Sequence, residues 1–233
     1  MIRNYLFSIF FFTGIILICI IFLPSLLLPQ SIVLLGGKIM GFWAEICLKI
    51  FMSTKIIIKG KENIIKDKKF FIASSHQSMF ETFFLQTIFN SPIFILKKEL
   101  IEIPIFGWYL KKIGSISIDR NKISRENIGF SNEILNVINK TDRPLIIFPQ
   151  GTRLEPEDRS SFKKGVGRIY EDLKIKCQPV AINSGNVWPK KGRLIPNKEL
   201  TVSILKPIDP GIDKNLFLKD LEENIYTELD YLG

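Results

Sequence analysis

The stretch KFFIASSHQSMFET, residues 69–82, changes character twice within a few residues. Phe70 to Ala73 is a short apolar run of the kind that forms a buried strand. Ser74 to Ser78 is small and polar around His76, and from Met79 the apolar residues return at helical spacing. Strand, polar loop and helix form the unit from which α/β sheets are wound. The same texture recurs outward from this point. Strands are expected at about 56–60, 69–75, 92–96, 115–119, 144–149, 178–183 and 200–206, and helices at about 79–90, 104–112, 123–139, 163–174 and 214–231. Reactive side chains in such folds sit just beyond the carboxyl ends of strands. Three loops there stand out for polarity: His76 through Thr82, Asp119-Arg120-Asn121, and Pro149-Gln150-Gly151-Thr152-Arg153.

Upstream the chain is of another kind. From Asn4 to Gly37 there is no Asp, Glu, Lys or Arg. Residues 5–23 as a helix would reach ~28 Å, enough to cross a hydrocarbon core of ~30 Å. Arg3 precedes them as in a secretory signal, but the run is too long and no small-residue cleavage site follows. Pro24 and Pro29 interrupt the helix. Residues 31–52 are apolar but hold Lys38, Glu45 and Lys49 around Phe42 and Trp43, a mixture suited to the membrane interface. Residues 1–54 are therefore expected to anchor the chain, either with one spanning helix or as a pair embedded in one leaflet. Residues 55–233 are expected to form the α/β domain and to fold without the anchor. Lys38, Lys49, Lys55, Lys59 and Lys61 place that domain on the cytoplasmic side if residues 5–23 span.

The remaining composition narrows the class. Of 233 residues, 46% are hydrophobic and 24% charged, which suits a folded chain rather than a disordered one. The formal charge of +9 comes mostly from lysine and lies mostly outside the anchor. It fits plain solubility or attraction to anionic headgroups, but no run interleaves arginine with aromatics as a nucleic-acid platform does. The cysteines at 19, 47 and 177 form no CxxC pair, and with one histidine there is little material for zinc or iron–sulfur ligation.

Histidine is the side chain that exchanges protons near neutral pH, and His76 is the only one here. With His76 in the loop and Glu81 in the first helical turn, the carboxylate can fold back onto the imidazole. It would then fix the tautomer while the ring takes a proton from a hydroxyl. The plainer alternative is a structural histidine, with Glu81 as a first-turn charge. No GxSxG elbow supplies a nucleophile, so the pair suits activation of a hydroxyl brought by a substrate. Arg120 and Arg153 follow expected strands, and Arg is a bidentate ligand for phosphate; surface ion pairing is the alternative for each. Gly151 permits close backbone approach and Thr152 adds a hydroxyl. Lys97 and Lys98 either join this anionic site or remain solvated.

These loops, in this order, resemble the 1-acyl-glycerol-3-phosphate acyltransferase family of membrane phospholipid synthesis. His76 through Glu81 matches its His-x-x-x-x-Asp motif, and IPIFGWYLKKIGSISIDR, residues 103–120, matches the second. Phe148-Pro149-Gln150-Gly151-Thr152-Arg153 matches Phe-Pro-Glu-Gly-Thr-Arg, and Pro179-Val180-Ala181-Ile182 followed by Asn183-Ser184-Gly185 matches the fourth. Glu81 and Gln150 depart from the family's usual Asp and Glu. Gln150 is accordingly read as a positioning residue that bonds the glycerol or shapes the loop.

The resemblance implies an α/β fold, a mixed sheet flanked by helices with an N-terminal membrane-embedded segment. It implies that His76, oriented by Glu81, deprotonates the sn-2 hydroxyl of lysophosphatidate for attack on an acyl thioester of coenzyme A or acyl carrier protein. Arg120, Gln150, Gly151, Thr152 and Arg153 would bind the acceptor. Membrane lipids are the expected surroundings, with no nucleic acid, metal or separate cofactor. Other readings are an acyltransferase for another lyso-lipid such as lyso-ornithine lipid, a non-catalytic lipid-binding protein, and a thiol hydrolase using Cys177 with His76.

Overall fold

The computed structural model describes residues 1–118 and 127–233. Two long helices come first, α1 (Ile2–Ile21) and α2 (Gln30–Met52), joined by a 3-10 turn over Leu23–Leu27 that begins at the proline-marked break. The strands that follow are β1 (Lys55–Lys59), β2 (Phe70–Ser74), β3 (Ile93–Lys97), β4 (Ile116–Ile118), β5 (Leu145–Ile147), β6 (Lys176–Ile182) and β7 (Glu199–Ile204). The helices among them are α3 (Phe80–Ile88), α4 (Lys98–Ile101), α5 (Phe106–Lys112), α6 (Asn127–Asn139), α7 (Lys164–Leu173) and α8 (Lys214–Leu232). Every expected strand is present. The helix expected at 123–139 is seen from Asn127, its start lying outside the described residues. The one-turn α4 has no counterpart among the expected helices, because its four residues, KELI, are too few to carry a helical period.

The strands form one sheet in the order β1-β7-β6-β2-β5-β3-β4. All pairings are parallel except β6 with β7, so the sheet is mixed. β2 is buried along its whole length, as a parallel strand covered on both faces should be. One face packs on α7 and α8 through Val166, Ile169, Tyr170, Phe217, Leu221 and Ile225. The other face packs on α3 and on the N-terminal helices.

That second core joins the N-terminal helices, expected as a separable anchor, to the sheet. Phe7 and Phe11 of α1, and Ala44, Cys47, Leu48 and Met52 of α2, share one buried cluster with Ile72, Phe80, Phe84 and Leu85. Packing does not break at residue 54. The reason is that α2 is apolar on more than one face: it buries Leu48 against the sheet side while Phe42, Ile46 and Ile50 remain exposed.

α1 is held to the rest of the chain at both ends. Near its start, the Asn4 amide donates to Leu194 O at 3.2 Å and Asn4 Oδ1 accepts from Leu194 N at 2.7 Å. Near its end, the Tyr109 hydroxyl on α5 donates to Cys19 O at 2.5 Å. The opposite face leaves Ile9, Phe12, Ile16 and Ile20 exposed, an apolar surface of the kind that marks a membrane or partner contact. Both α1 and α2 are long and apolar enough to cross a membrane.

Candidate active site

β2 lies between β5 and β6, parallel to both, with Ala73 opposite Ile147 and Ser74 opposite Val180. The loops leaving the carboxyl ends of these three strands therefore meet. Ser75 Oγ accepts from Ile182 N at 2.8 Å on one side, and Leu154 N donates to His76 O at 2.9 Å on the other. Gln77 Oε1 accepts from Gly185 N at 3.0 Å. His76 is thus fixed by backbone bonds from both flanking loops.

Its ring lies on Phe148, centroids 4.0 Å apart and planes 18° from parallel. His76 Nδ1 is 3.5 Å from Glu81 Oε2, with the histidine side chain 15% exposed and the glutamate fully buried. That leaves Nε2 as the nitrogen available to the cavity, whose wall includes His76. Glu81 sits in the first turn of α3, whose N-cap residue Met79 makes no side-chain cap. Ser78 Oγ accepts from Phe80 N at 3.1 Å instead, and the Glu81 carboxylate folds back over the preceding loop, accepting from Gln77 N at 3.0 Å and Ser78 N at 3.1 Å. The Ser184 hydroxyl, from the loop after β6, also donates to Glu81 Oε1.

In front of His76 opens a cavity of about 1270 Å³. Part of its wall is apolar, from Val33 and Met40 of α2, Phe83 of α3, Phe94 of β3, Phe106 of α5 and Ile113 just after it. Another part is cationic, with Lys97, Arg153, Lys163, Arg168 and Lys190. Gly151 and Thr152 line it too. Gly151 has φ +72°, and a Cβ there would meet Lys163 Cγ at 3.3 Å, so glycine suits both its backbone and its neighbour. Lys163 N donates to Pro149 O at 2.9 Å, which holds the start of α7 against this loop. Among the described residues, neither Arg153 nor Lys163 has an ion-pair partner.

A protein-family model described as acyltransferase matches residues 55–183. The chain belongs to the acyltransferase family. It is similar to the 1-acyl-sn-glycerol-3-phosphate acyltransferase of Pseudomonas aeruginosa, 36% identical over 138 residues that cover 58% of this chain and 52% of that protein. Similarity to the enzyme of the same description from Saccharomyces cerevisiae is 32% over 166 residues, 69% of this chain and 54% of that one. For Helicobacter pylori it is 32% over 162 residues, 67% of each. The matched region thus spans about half the length of the first two relatives. The fold matches the crystal structure of the LPA acyltransferase PlsC from Thermotoga maritima at a TM-score of 0.80 and 23% identity, covering 100% of this chain and 98% of that one.

The sequence-derived residues divide. His76, Glu81, Gly151, Thr152 and Arg153 come together at the cavity, Glu81 from behind His76. Arg120 lies outside the described residues. Gln150 is buried and is not among the residues lining the cavity, a position that suits the loop-shaping alternative of its two expected roles. It neighbours the Tyr226 hydroxyl, whose pKa is pushed up to about 12 by burial first and then by the charge of Glu222, with Gln150 acting in the opposite direction. Lys97 lines the cavity and Lys98 does not.

The thiol-hydrolase reading fails on position. Cys177 pairs with Phe71 near the start of β2, whereas His76 lies past its end. Burial also pushes the Cys177 thiol well above its ordinary range, the reverse of a reactive cysteine. Sequence reading missed Lys163 and Ser184. Lys163 was visible as the first residue of an expected helix, and Ser184 as a polar residue just past a strand.

Proposed function

We propose that this acyltransferase moves a fatty acyl chain from a thioester of coenzyme A or acyl carrier protein to the sn-2 hydroxyl of 1-acyl-glycerol-3-phosphate. The observation that carries this reading is the position of His76: one cavity presents its imidazole, an apolar wall and a cationic wall together. An acceptor with a hydrocarbon tail and a phosphate has the matching parts.

His76 Nε2 takes the proton of the acceptor hydroxyl, while Nδ1 faces Glu81 and the resulting imidazolium is stabilised by that carboxylate. The oxygen attacks the thioester carbonyl to form a tetrahedral intermediate. Collapse forms the ester, breaks the carbon–sulfur bond, and returns the proton to the departing thiolate. General-base help of this kind contributes about 100- to 10,000-fold. Arg153 and Lys163, with Thr152, are placed to hold the phosphate, and Arg120 belongs to the same proposal by its motif. The thioester supplies its own activation, so no further cofactor is invoked.

The exposed face of α1 and α2 suits burial in a bilayer. Because Asn4 and Cys19 both contact the α/β domain, α1 runs alongside that domain rather than away from it. This geometry supports the leaflet-embedded arrangement, with lysophosphatidate reaching the cavity from the membrane. The test is purified protein in detergent with a panel of lyso-lipids and both donor types. Lysophosphatidate should be the preferred acceptor, and His76→Ala should abolish its acylation while leaving the thermal unfolding midpoint unchanged. Turnover within tenfold of wild type in His76→Ala would remove the imidazole from the base role.

A further inference from the structure

We infer that Ser184 is a positioning residue for the catalytic histidine, acting through Glu81; this rests on the proposed role of His76. Glu81 is buried and must present one oxygen to the imidazole in a fixed direction. Its Oε1 accepts from Gln77 N, Ser78 N and the Ser184 hydroxyl, while Oε2 accepts from Ser78 N and faces His76 Nδ1 at 3.5 Å. The two amides lie four and three residues before Glu81, in the loop that leads into its helix. Ser184 is the donor that comes from elsewhere, 103 residues away.

The location of Ser184 suits a fixed donor. It is fully buried at the carboxyl end of β6. Its carbonyl accepts from Val187 N at 3.1 Å and from Trp188 N at 2.8 Å. The next residue, Gly185, donates to Gln77 Oε1. The backbone is therefore held independently of the hydroxyl, and the hydroxyl is free to serve the carboxylate alone. A glutamate has one more rotatable bond than an aspartate, so it has more orientations to lose before it can serve His76. Ser184 removes that freedom from the far side.

The test is steady-state kinetics of Ser184→Ala, Glu81→Gln and the double variant, with 15N-histidine NMR of each. Ser184→Ala should lower kcat by about ten- to a hundredfold, the range for losing a hydrogen bond to a charged group, with the acceptor KM within twofold. In the Glu81→Gln background the same change should cost little more, because the carboxylate it serves is gone. The chain holds one histidine, so a single imidazole spin system should shift in Ser184→Ala and report the altered orientation without any turnover. Ser184→Cys, close in size but a weak donor, should show the same fall in kcat and covers the case in which the alanine variant does not fold. Wild-type kcat in either folded variant, independent multiplying losses in the double variant, or an unmoved imidazole signal would overturn the inference. Failure of the base role itself would instead appear as activity in His76→Ala.

Discussion

Arg153 reaches the cavity from a loop whose shape depends on its neighbours more than on itself. Gly151 turns the chain at positive φ, and the Lys163 stem lies against that turn. If Arg153 binds the acceptor phosphate, Arg153→Ala removes charge-assisted bonds worth about 1.5–3 kcal/mol. The expected loss in kcat/KM is roughly 10- to 150-fold, with the acceptor KM rising and the thioester KM unchanged. A rise in the donor KM alone would reassign this arginine to the donor. Gln150 makes the opposite case, a motif residue whose identity is set by stability. Its Oε1 is buried without a donor, and Glu222 already acts on the Tyr226 beside it. Gln150→Glu, although it restores the family's usual residue, should place an unpaired carboxylate there. We expect a fall of at least ~5 °C in Tm, read by differential scanning fluorimetry.

At the scale of elements, the strands were legible because each is a short apolar run ended by a polar or turn residue. His76 and Glu81 were legible because their loop breaks such a run. The bond from Ser184 to Glu81 was not, since nothing local in Asn183-Ser184-Gly185 states that β6 lies beside β2. Gln150 was hard to place for a related reason: a loop residue's side-chain direction is decided by what it meets, here α8. The α2–α3 contact likewise depends on an approach that sequence does not announce. A Cβ on Gly41 would lie 2.5 Å from Phe83 O and 2.6 Å from Thr87 Cγ2. Gly41→Val should push α2 from α3 at a cost of about 1–3 kcal/mol, lowering Tm by roughly 2–10 °C. Because α3 carries Glu81 and both helices line the cavity, kcat should fall with it; a stable variant with full activity would show that this contact is not needed.

For the whole molecule, the decisive fact is that the two N-terminal apolar helices and the sheet share a core. An uncharged run such as 4–37 is equally consistent with a detachable anchor and with a helix that has one face in lipid and one in protein. Hydropathy alone does not separate them, and the expectation of a separable anchor takes the former. Burial establishes the face in protein: Phe7, Phe11, Leu48 and Met52 are each at most 1% exposed. At about 1.5–3 kcal/mol for each buried side chain, removing these four costs on the order of 10 kcal/mol, comparable with the whole stability of ~5–15 kcal/mol typical of a folded domain. Deletion of residues 1–53 should therefore yield aggregated or protease-sensitive material rather than a soluble acyltransferase. The proposed membrane role can be separated by another route, because the exposed apolar side chains are different ones. Replacing Ile9, Ile16 and Ile20 together with serine should leave the core and the detergent-phase activity near wild type, while weakening retention of the protein on membranes washed with alkaline carbonate. A soluble, folded 54–233 fragment would contradict the shared core, and undiminished retention of the triple variant would place the membrane contact on another surface.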